Sequence, residues 1–433
     1  MKDLLYTGFA HVIVALASLG SGVLAARILG PEGRGELAAV FLYPQIAAAL
    51  TTVVLVDAVV YWSARKSAPP GQIFASACAL ILLIGIPVAA AGILLAPTLY
   101  AGHRPEVVFA ASLYFGHVLL GALGLTAAGM FQGALRMGVW NGCRIAVTVL
   151  YPGFVLGFLV MGRVTLTEFV IAQLLANAAL LIGVGAMIRR EGWTGWRPDF
   201  ALMRRFAIYV LPILSGVALA TLNGRLDQIF IERALTAEDL GLYVVAFGVA
   251  GLVSNFTSLL SVLTFPKVAA RAEPEQKAVI LGRFLRLAVA VALGGTVALY
   301  LLADWLLALL YGDAFVAATP LLHVLVLATL PLAAKAILIQ GCKAYERLGP
   351  IGRTEGIALA VNATALLVLM PRLGVVGAAW AAVLSQSCAV IYLLIVARGT
   401  FGIGIGELLR PRLDDLRHAW NGLRDLRASG RAG

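Results

Sequence analysis

Charge is what this chain has least of. Asp, Glu, Lys and Arg make up 13% of its 433 residues, where a soluble protein carries about 25%. Polar stretches are short, so no loop has room for a soluble domain. Cysteine is scarce as well. Cys78, Cys143, Cys342 and Cys388 lie in or beside apolar runs and form no CxxC pair. They read as small packing residues, and neither a disulfide nor a metal site is expected. Signatures of nucleotide and hydrolase chemistry are also missing. There is no Walker-A loop, no GxSxG elbow, no HExxH and no dinucleotide fingerprint after a strand. No cofactor is expected and the chain does not read as an enzyme. A membrane glycan ligase or polymerase would display a substantial catalytic outer loop, and none is present.

What the chain has in abundance is apolar length. Its hydrophobic fraction is 61% and its mean hydropathy +0.94. A spanning helix needs roughly 20 mostly apolar residues. Twelve such runs can be drawn, at 5–29, 37–62, 73–99, 107–135, 139–162, 166–188, 207–231, 240–266, 285–310, 316–342, 351–371 and 375–398. The first is too long for a signal-peptide core and leads straight into the second, so it reads as a retained helix. The expected fold class is therefore an all-α polytopic membrane protein.

The net charge of +11 does not form a phosphate-tracking stripe, and nucleic acid is not an expected partner. The cations sit at the ends of apolar runs. With both termini cytoplasmic, the inner loops and ends carry 24 Lys and Arg and the outer loops only Arg34, Arg104, Arg163, Arg233 and Arg372. That positive-inside bias predicts cytoplasmic N- and C-termini.

The longest central loop, 189–206, is basic, contains Trp193 and Trp196, and suits the inner interface. It divides the chain into a lobe at 1–188, a linker at 189–206 and a second lobe at 207–398. An internal echo fits a duplication: GELAAVF (35–41) and GLYVVAF (241–247) each open the second span of their half. In the tail, 399–433, Leu409, Leu413, Leu416, Trp420, Leu423 and Leu426 recur at helical spacing among arginines. This predicts a basic amphipathic helix on the anionic inner leaflet.

Several ionisable groups fall inside spans, where a charge costs at least about 2.5–3.5 kcal/mol and normally faces a partner or a wet cavity. By depth, Asp57 can pair with Arg144, and Arg225 with Asp304, leaving Asp227 on another side of the Arg225 helix. Arg27 and Lys335 have no acid at their depth within their own half. Two readings stand for them: each snorkels to its nearer interface, Arg27 outer and Lys335 inner, or both line a central cavity and meet an anionic ligand such as a diphosphate. Of the intramembrane histidines His11, His117 and His323, His11 is the best-placed proton relay because it shares a helix with Arg27.

Three stretches resemble a known family. RILGPEGRGELAAV (27–40), GRLDQIFIERALTAEDLGLYVVA (224–246) and RLGVVGAAWAAVLSQ (372–386) are similar, in that order, to the Wzx-like polysaccharide flippases. These are a branch of the multidrug/oligosaccharidyl-lipid/polysaccharide exporter superfamily. The resemblance implies two six-helix lobes in a V around a central cavity, working by alternating access. The cargo it implies is an oligosaccharide joined through diphosphate to a polyprenyl lipid, moved from the inner to the outer leaflet. It implies a cationic cavity, which would suit Arg27 in span 1 and Arg225 in span 7 as substrate-binding residues, and Asp227 matches the family's acidic position after that arginine. Depth in the spans, not the resemblance, adds Lys335 as a substrate-binding candidate and Asp57, Arg144, Asp304 and His11 as ion-pair or coupling candidates. Coupling to H+ or Na+, a monomeric carrier, and a polysaccharide polymerase or export machinery as partner are further implications. The alternative is a multidrug exporter of the same superfamily, whose cavity would hold acids and aromatics for cationic drugs. The span count is lower than in peptidoglycan-precursor flippases.

Overall fold

The fold was analysed in a computed structural model that describes residues 2–162, 164–193, 195 and 197–401. The predicted tail helix beyond 401, and with it Arg163 and Trp196, lies outside the described residues. The chain is all-α among the residues described. Among the described residues, eleven helices are long and apolar enough to cross a membrane. The first helix, α1 (Lys2–Ala64), is 63 residues long. Unbroken, it would run about 90 Å at 1.5 Å per residue, three times the hydrocarbon thickness. Gly30, at φ 69° and ψ −178°, bends it ahead of Pro31. The bend makes two spans of α1 and brings the total to about twelve.

The remaining elements follow in order: α2 (Pro70–Leu99), α3 (Pro105–Tyr114), α4 (His117–Gly133), α5 (Met137–Val160), α6 (Leu166–Arg190), α7 (Phe200–Asn223), α8 (Leu226–Ala234), α9 (Ala237–Ala269), α10 (Pro274–Leu301), α11 (Ala303–Tyr311), a 3-10 turn (Asp313–Ala318), α12 (Thr319–Ala344), α13 (Gly349–Leu373) and α14 (Val375–Phe401). Proline at the first helical position opens α2, α3 and α10, where the missing N–H is no loss. Asp199 caps α7 by accepting from the Ala201 amide at 2.7 Å, and Thr165 with Glu168 forms a capping box on α6.

The helices form two compact units. Among the described residues, one comprises those up to 249 together with 304–321 and 366–378; the other comprises 250–303, 322–365 and 379–401. Packing thus groups the chain differently from span order. In the first unit an apolar core gathers Leu55, Ile73, Ile81, Phe131, Val184 and Phe206. The GMFQG spacing (129–133) lets α4 approach α1: a Cβ on Gly133 would lie 2.8 Å from the Val60 carbonyl oxygen. Gly138 and Gly142, of similar spacing, meet nothing within 4 Å.

The closest backbone approach in the first unit joins the two ends of the sequence echo. A Cβ on Gly35 would lie 1.6 Å from the Ala237 carbonyl oxygen and 2.9 Å from the Gly241 nitrogen. A Cβ on Gly241 would lie 1.9 Å from the Pro31 carbonyl oxygen and 3.0 Å from the Gly35 nitrogen. Each glycine therefore faces the residue four before the other, a two-fold relation between equivalent positions of the repeat. Next to Gly35, the buried Glu36 receives Arg104 through both carboxylate oxygens, Nε at 2.9 Å. This ties the turn before α3 to the same crossing.

The second unit has its own core, built around Leu281, Leu285, Ile337, Leu338 and Leu393. Inside it, Lys335 Nζ on α12 lies 2.8 Å from Glu355 Oε1 on α13 and 3.3 Å from Gln386 Oε1 on α14. Both charged side chains are nearly buried, at 10% and 12% exposure.

Two predictions follow from these contacts. Gly35→Ala and Gly241→Ala will each destabilise the chain by about 1–3 kcal/mol through overpacking. The double variant will lose less than the sum, because one clash already opens the crossing; thermal unfolding in detergent measures it, and strict additivity would contradict the shared contact. Lys335→Met or Glu355→Leu alone will cost about 3–5 kcal/mol by stranding a buried charge, and the double variant will recover most of that loss. A double-mutant cycle on melting temperature checks the second prediction.

Candidate functional site

The first arm of α1 is polar where it faces α5 and α6. Ser18 and Ser21 on that arm, Gln45 beyond the bend, Thr148 and Tyr151 on α5, and Gln173 on α6 line a cavity of about 300 Å³ with Arg34 in its wall. Arg34 has no hydrogen-bonding partner for its buried Nε, and no salt bridge reaches it among the described residues. An unpaired guanidinium in the apolar bulk of the bilayer is costly, so its surroundings must supply water or an anion. No Asp or Glu lines the cavity.

Arg27 is exposed and lies seven residues before Arg34, a spacing that would place both on one face of a continuous helix. The bend at Gly30 separates their fates. Arg27 Nε donates to the Leu310 carbonyl at 2.7 Å, and its Nη2 to that of Leu309. These are free carbonyls at the C-terminus of α11, which ends at Gly312 in the left-handed region (φ 99°). Here a cation meets the negative end of the helix dipole. The absence of an acid near Arg27 is thus explained without a ligand.

Arg225 stands at the break between α7 and α8. Its Nη1 donates to Gln228 Oε1 at 3.0 Å and its Nη2 to Gln45 Oε1 at 2.9 Å. The expected Arg225–Asp304 pair is not formed. Span 9 breaks after α10, so Asp304 falls in the first turn of α11, where an acid complements the helix N-terminus and accepts from the Thr319 hydroxyl. Asp227 is buried and accepts from the Tyr243 hydroxyl and the Gln228 amide, the latter at 2.9 Å.

The expected Asp57–Arg144 pair is also absent. Asp57 is exposed, and Arg144 Nη1 instead lies 3.5 Å from His11 Nε2. Equal depth was not enough, because the two side chains leave their helices in different directions. His117 stacks on Tyr114 with ring centroids 5.0 Å apart and meets Asn177 at 3.3 Å. His323 stacks on Tyr300 at 4.0 Å. Lys335, expected to lack an acid, has Glu355. Glu355 lies about 9 Å along α13 from its start at Gly349, which matches the depth of Lys335; beginning that span at 351 put the acid too close to the interface.

Two groups escaped the sequence reading. Arg34 was counted with the outer loops because GPEGRG has turn composition, yet α1 continues through it. Glu232 falls one residue past the seventh apolar run, at 207–231, and carries no expectation from the sequence. Its side chain is 2% exposed, accepts from Tyr43 at 2.6 Å and has His103 Nε2 and Arg233 Nε each at 3.8 Å. Arg34 leaves only the signal of a charge in a glycine-rich stretch, and Glu232 only that of an acid at the end of an apolar run.

Known proteins place this geometry. A teichuronic acid biosynthesis protein, TuaB, of Bacillus subtilis (strain 168) is 26% identical over 231 residues. The matched stretch covers 52% of this chain and 46% of that protein, so the chain matches about half the length of that relative. Among solved structures, the lipid II flippase MurJ in an inward closed conformation superposes with a TM-score of 0.79 at 13% identity, covering 93% of this chain and 89% of that one. An inward-facing multidrug resistance MATE family transporter of the MOP superfamily gives a TM-score of 0.73 at 13% identity, covering 91% and 98%. Both likenesses establish the fold. The family described as "Polysaccharide biosynthesis protein" matches residues 1–270. This polytopic membrane chain, with its glycine-crossed repeat, belongs to that polysaccharide biosynthesis family.

Proposed function

We propose that the chain is a flippase that carries a polyprenyl-diphosphate-linked oligosaccharide from the inner to the outer leaflet of a bacterial cytoplasmic membrane. The polar glycan cannot cross hydrocarbon, and a wet cavity with a positive wall gives it a path while the lipid tail stays in the bilayer. The single observation that carries this reading is Arg34, a cation without a carboxylate partner in a cavity of hydroxyl and amide groups. Two six-helix lobes at 1–188 and 207–398, joined by 189–206, move by alternating access. A proton or sodium gradient drives the cycle, and an outer-face polymerase consumes the product. The likeness to TuaB and MurJ supports this reading.

The MATE likeness favours a second reading, export of cationic drugs. The cavity speaks against it. A site for cations needs acids, and this one offers an arginine and no Asp or Glu.

Deletion of the gene will cause a lipid-linked saccharide to accumulate on the cytoplasmic leaflet, and the wild-type gene will clear it. Arg34→Gln will be present at near-normal abundance and will lower export about tenfold or more, as expected for loss of a charge-assisted contact. Leaflet-selective labelling of the lipid-linked pool measures both. A deletion strain with no such pool would end the flippase reading, and full export by the Arg34 variant would remove the cavity from the mechanism.

A further inference from the structure

The cavity wall distinguishes between two anions that a lipid-linked glycan can carry, the diphosphate and a carboxylate on a sugar. Two of its hydroxyls already donate their protons to their own helices. Ser21 Oγ donates to the Ala17 carbonyl at 2.7 Å, and Thr148 Oγ1 to the Arg144 carbonyl at 2.8 Å. Toward the cavity they therefore present lone pairs and need a ligand that donates. An ionised diphosphate has only acceptors to offer. A sugar ring has hydroxyls that both donate and accept.

The charge count agrees. Of the three arginines nearest the bend and the helix break, Arg27 is held by the carbonyls of α11 and Arg225 by Gln45 and Gln228. Of the three, only Arg34 lines the cavity, and its buried Nε has no hydrogen-bonding partner. One guanidinium fork matches one carboxylate, whereas a multiply charged diphosphate calls for several cations. Phe41 and Tyr151 in the same wall supply apolar faces for the C–H side of a sugar ring. At about 300 Å³ the cavity is at the small end of ligand sites, the scale of one or two sugar residues.

We propose that this cavity is a subsite for a uronic acid residue of the transported glycan, with Arg34 on its carboxylate and Ser21 and Thr148 accepting from its hydroxyls. The proposal rests on the flippase reading and deepens it by naming a substrate class. The lipid diphosphate is then held elsewhere.

The test uses the purified full chain in nanodiscs of uncharged lipid. Three probes are titrated, a glucuronate-containing disaccharide, the neutral disaccharide of the same linkage, and inorganic pyrophosphate, with melting temperature and calorimetry as readouts. The uronate will bind saturably, and Arg34→Gln will weaken it about ten- to a hundredfold. Ser21→Ala with Thr148→Val will weaken it about tenfold. The neutral disaccharide will bind weakly and equally to wild type and Arg34→Gln. Without ligand, Arg34→Gln will melt no lower than wild type, because it removes an unpaired buried charge; this control separates recognition from folding. Pyrophosphate binding that depends on Arg34 and exceeds that of the uronate would overturn the proposal, as would absence of uronate binding or equal uronate binding by Arg34→Gln. The leaflet assay on the deletion strain is independent of these probes. A pool that accumulates there while the uronate fails to bind would remove only the subsite, whereas an absent pool would remove the flippase reading itself.

Discussion

A charge inside hydrocarbon must be answered by something, and nearly every feature of this structure follows from how that demand is met. Arg27 is answered by the end of a helix, Arg225 by two glutamine amides, Lys335 by a glutamate, Asp227 by a tyrosine hydroxyl and a backbone amide. These partners differ in kind, and those of Arg27, Arg225 and Asp227 sit where the chain already departs from a plain apolar helix. The α10–α11 break, the α7–α8 break and the bend at Gly30 all open backbone groups that need satisfying in the bilayer. Placing a charged side chain at such a break satisfies two needs with one contact. Arg27 on the carbonyls of α11 is the plainest case, since neither the guanidinium nor those carbonyls would otherwise have a partner in hydrocarbon.

The same demand explains the close approach of the two backbones at Gly35 and Gly241. Close helix approach in a membrane draws on van der Waals contact and small residues, because lipid is as apolar as leucine. With no side chain at either position, each backbone lies against the other's residue four before, and the pseudo-two-fold relation becomes an atomic contact. Glu36 is then carried into a buried place beside the crossing, and Arg104 follows it. An arginine that looks like a topology signal in the sequence is thereby also a fastening.

The spans, their order and the bend were legible in the sequence because each depends on local composition: apolar length, turn residues, and cations at the inner ends. The echo of GELAAVF and GLYVVAF was legible as likeness, though not as contact. The charge pairs were not legible. Depth along a helix is one coordinate, and pairing needs the direction around the helix as well, which only packing sets. Asp57 and Arg144 share a depth and do not meet; Lys335 and Glu355 share a depth and do. Arg34 was hidden for a related reason. Its neighbours Gly30, Pro31, Gly33 and Gly35 have turn composition, but only Gly30 leaves helical geometry, so the residues after it re-enter the bundle as helix.

Arg34 therefore differs from the other intramembrane cations in a way that bears on transport. A cation fully answered by protein can hold helices together but cannot favour a ligand, since its partner would have to be displaced first. A cation whose cavity is lined by hydroxyls and amides and no carboxylate has no such competitor for an arriving anion. The binding must also be reversible for a carrier to turn over. A single fork contact with neutral hydrogen bonds around it is suited to that, because it recognises charge and shape without the depth of binding that several cations would give. Among the described residues most intramembrane charges have protein partners, and Arg34 lines a cavity that holds no carboxylate.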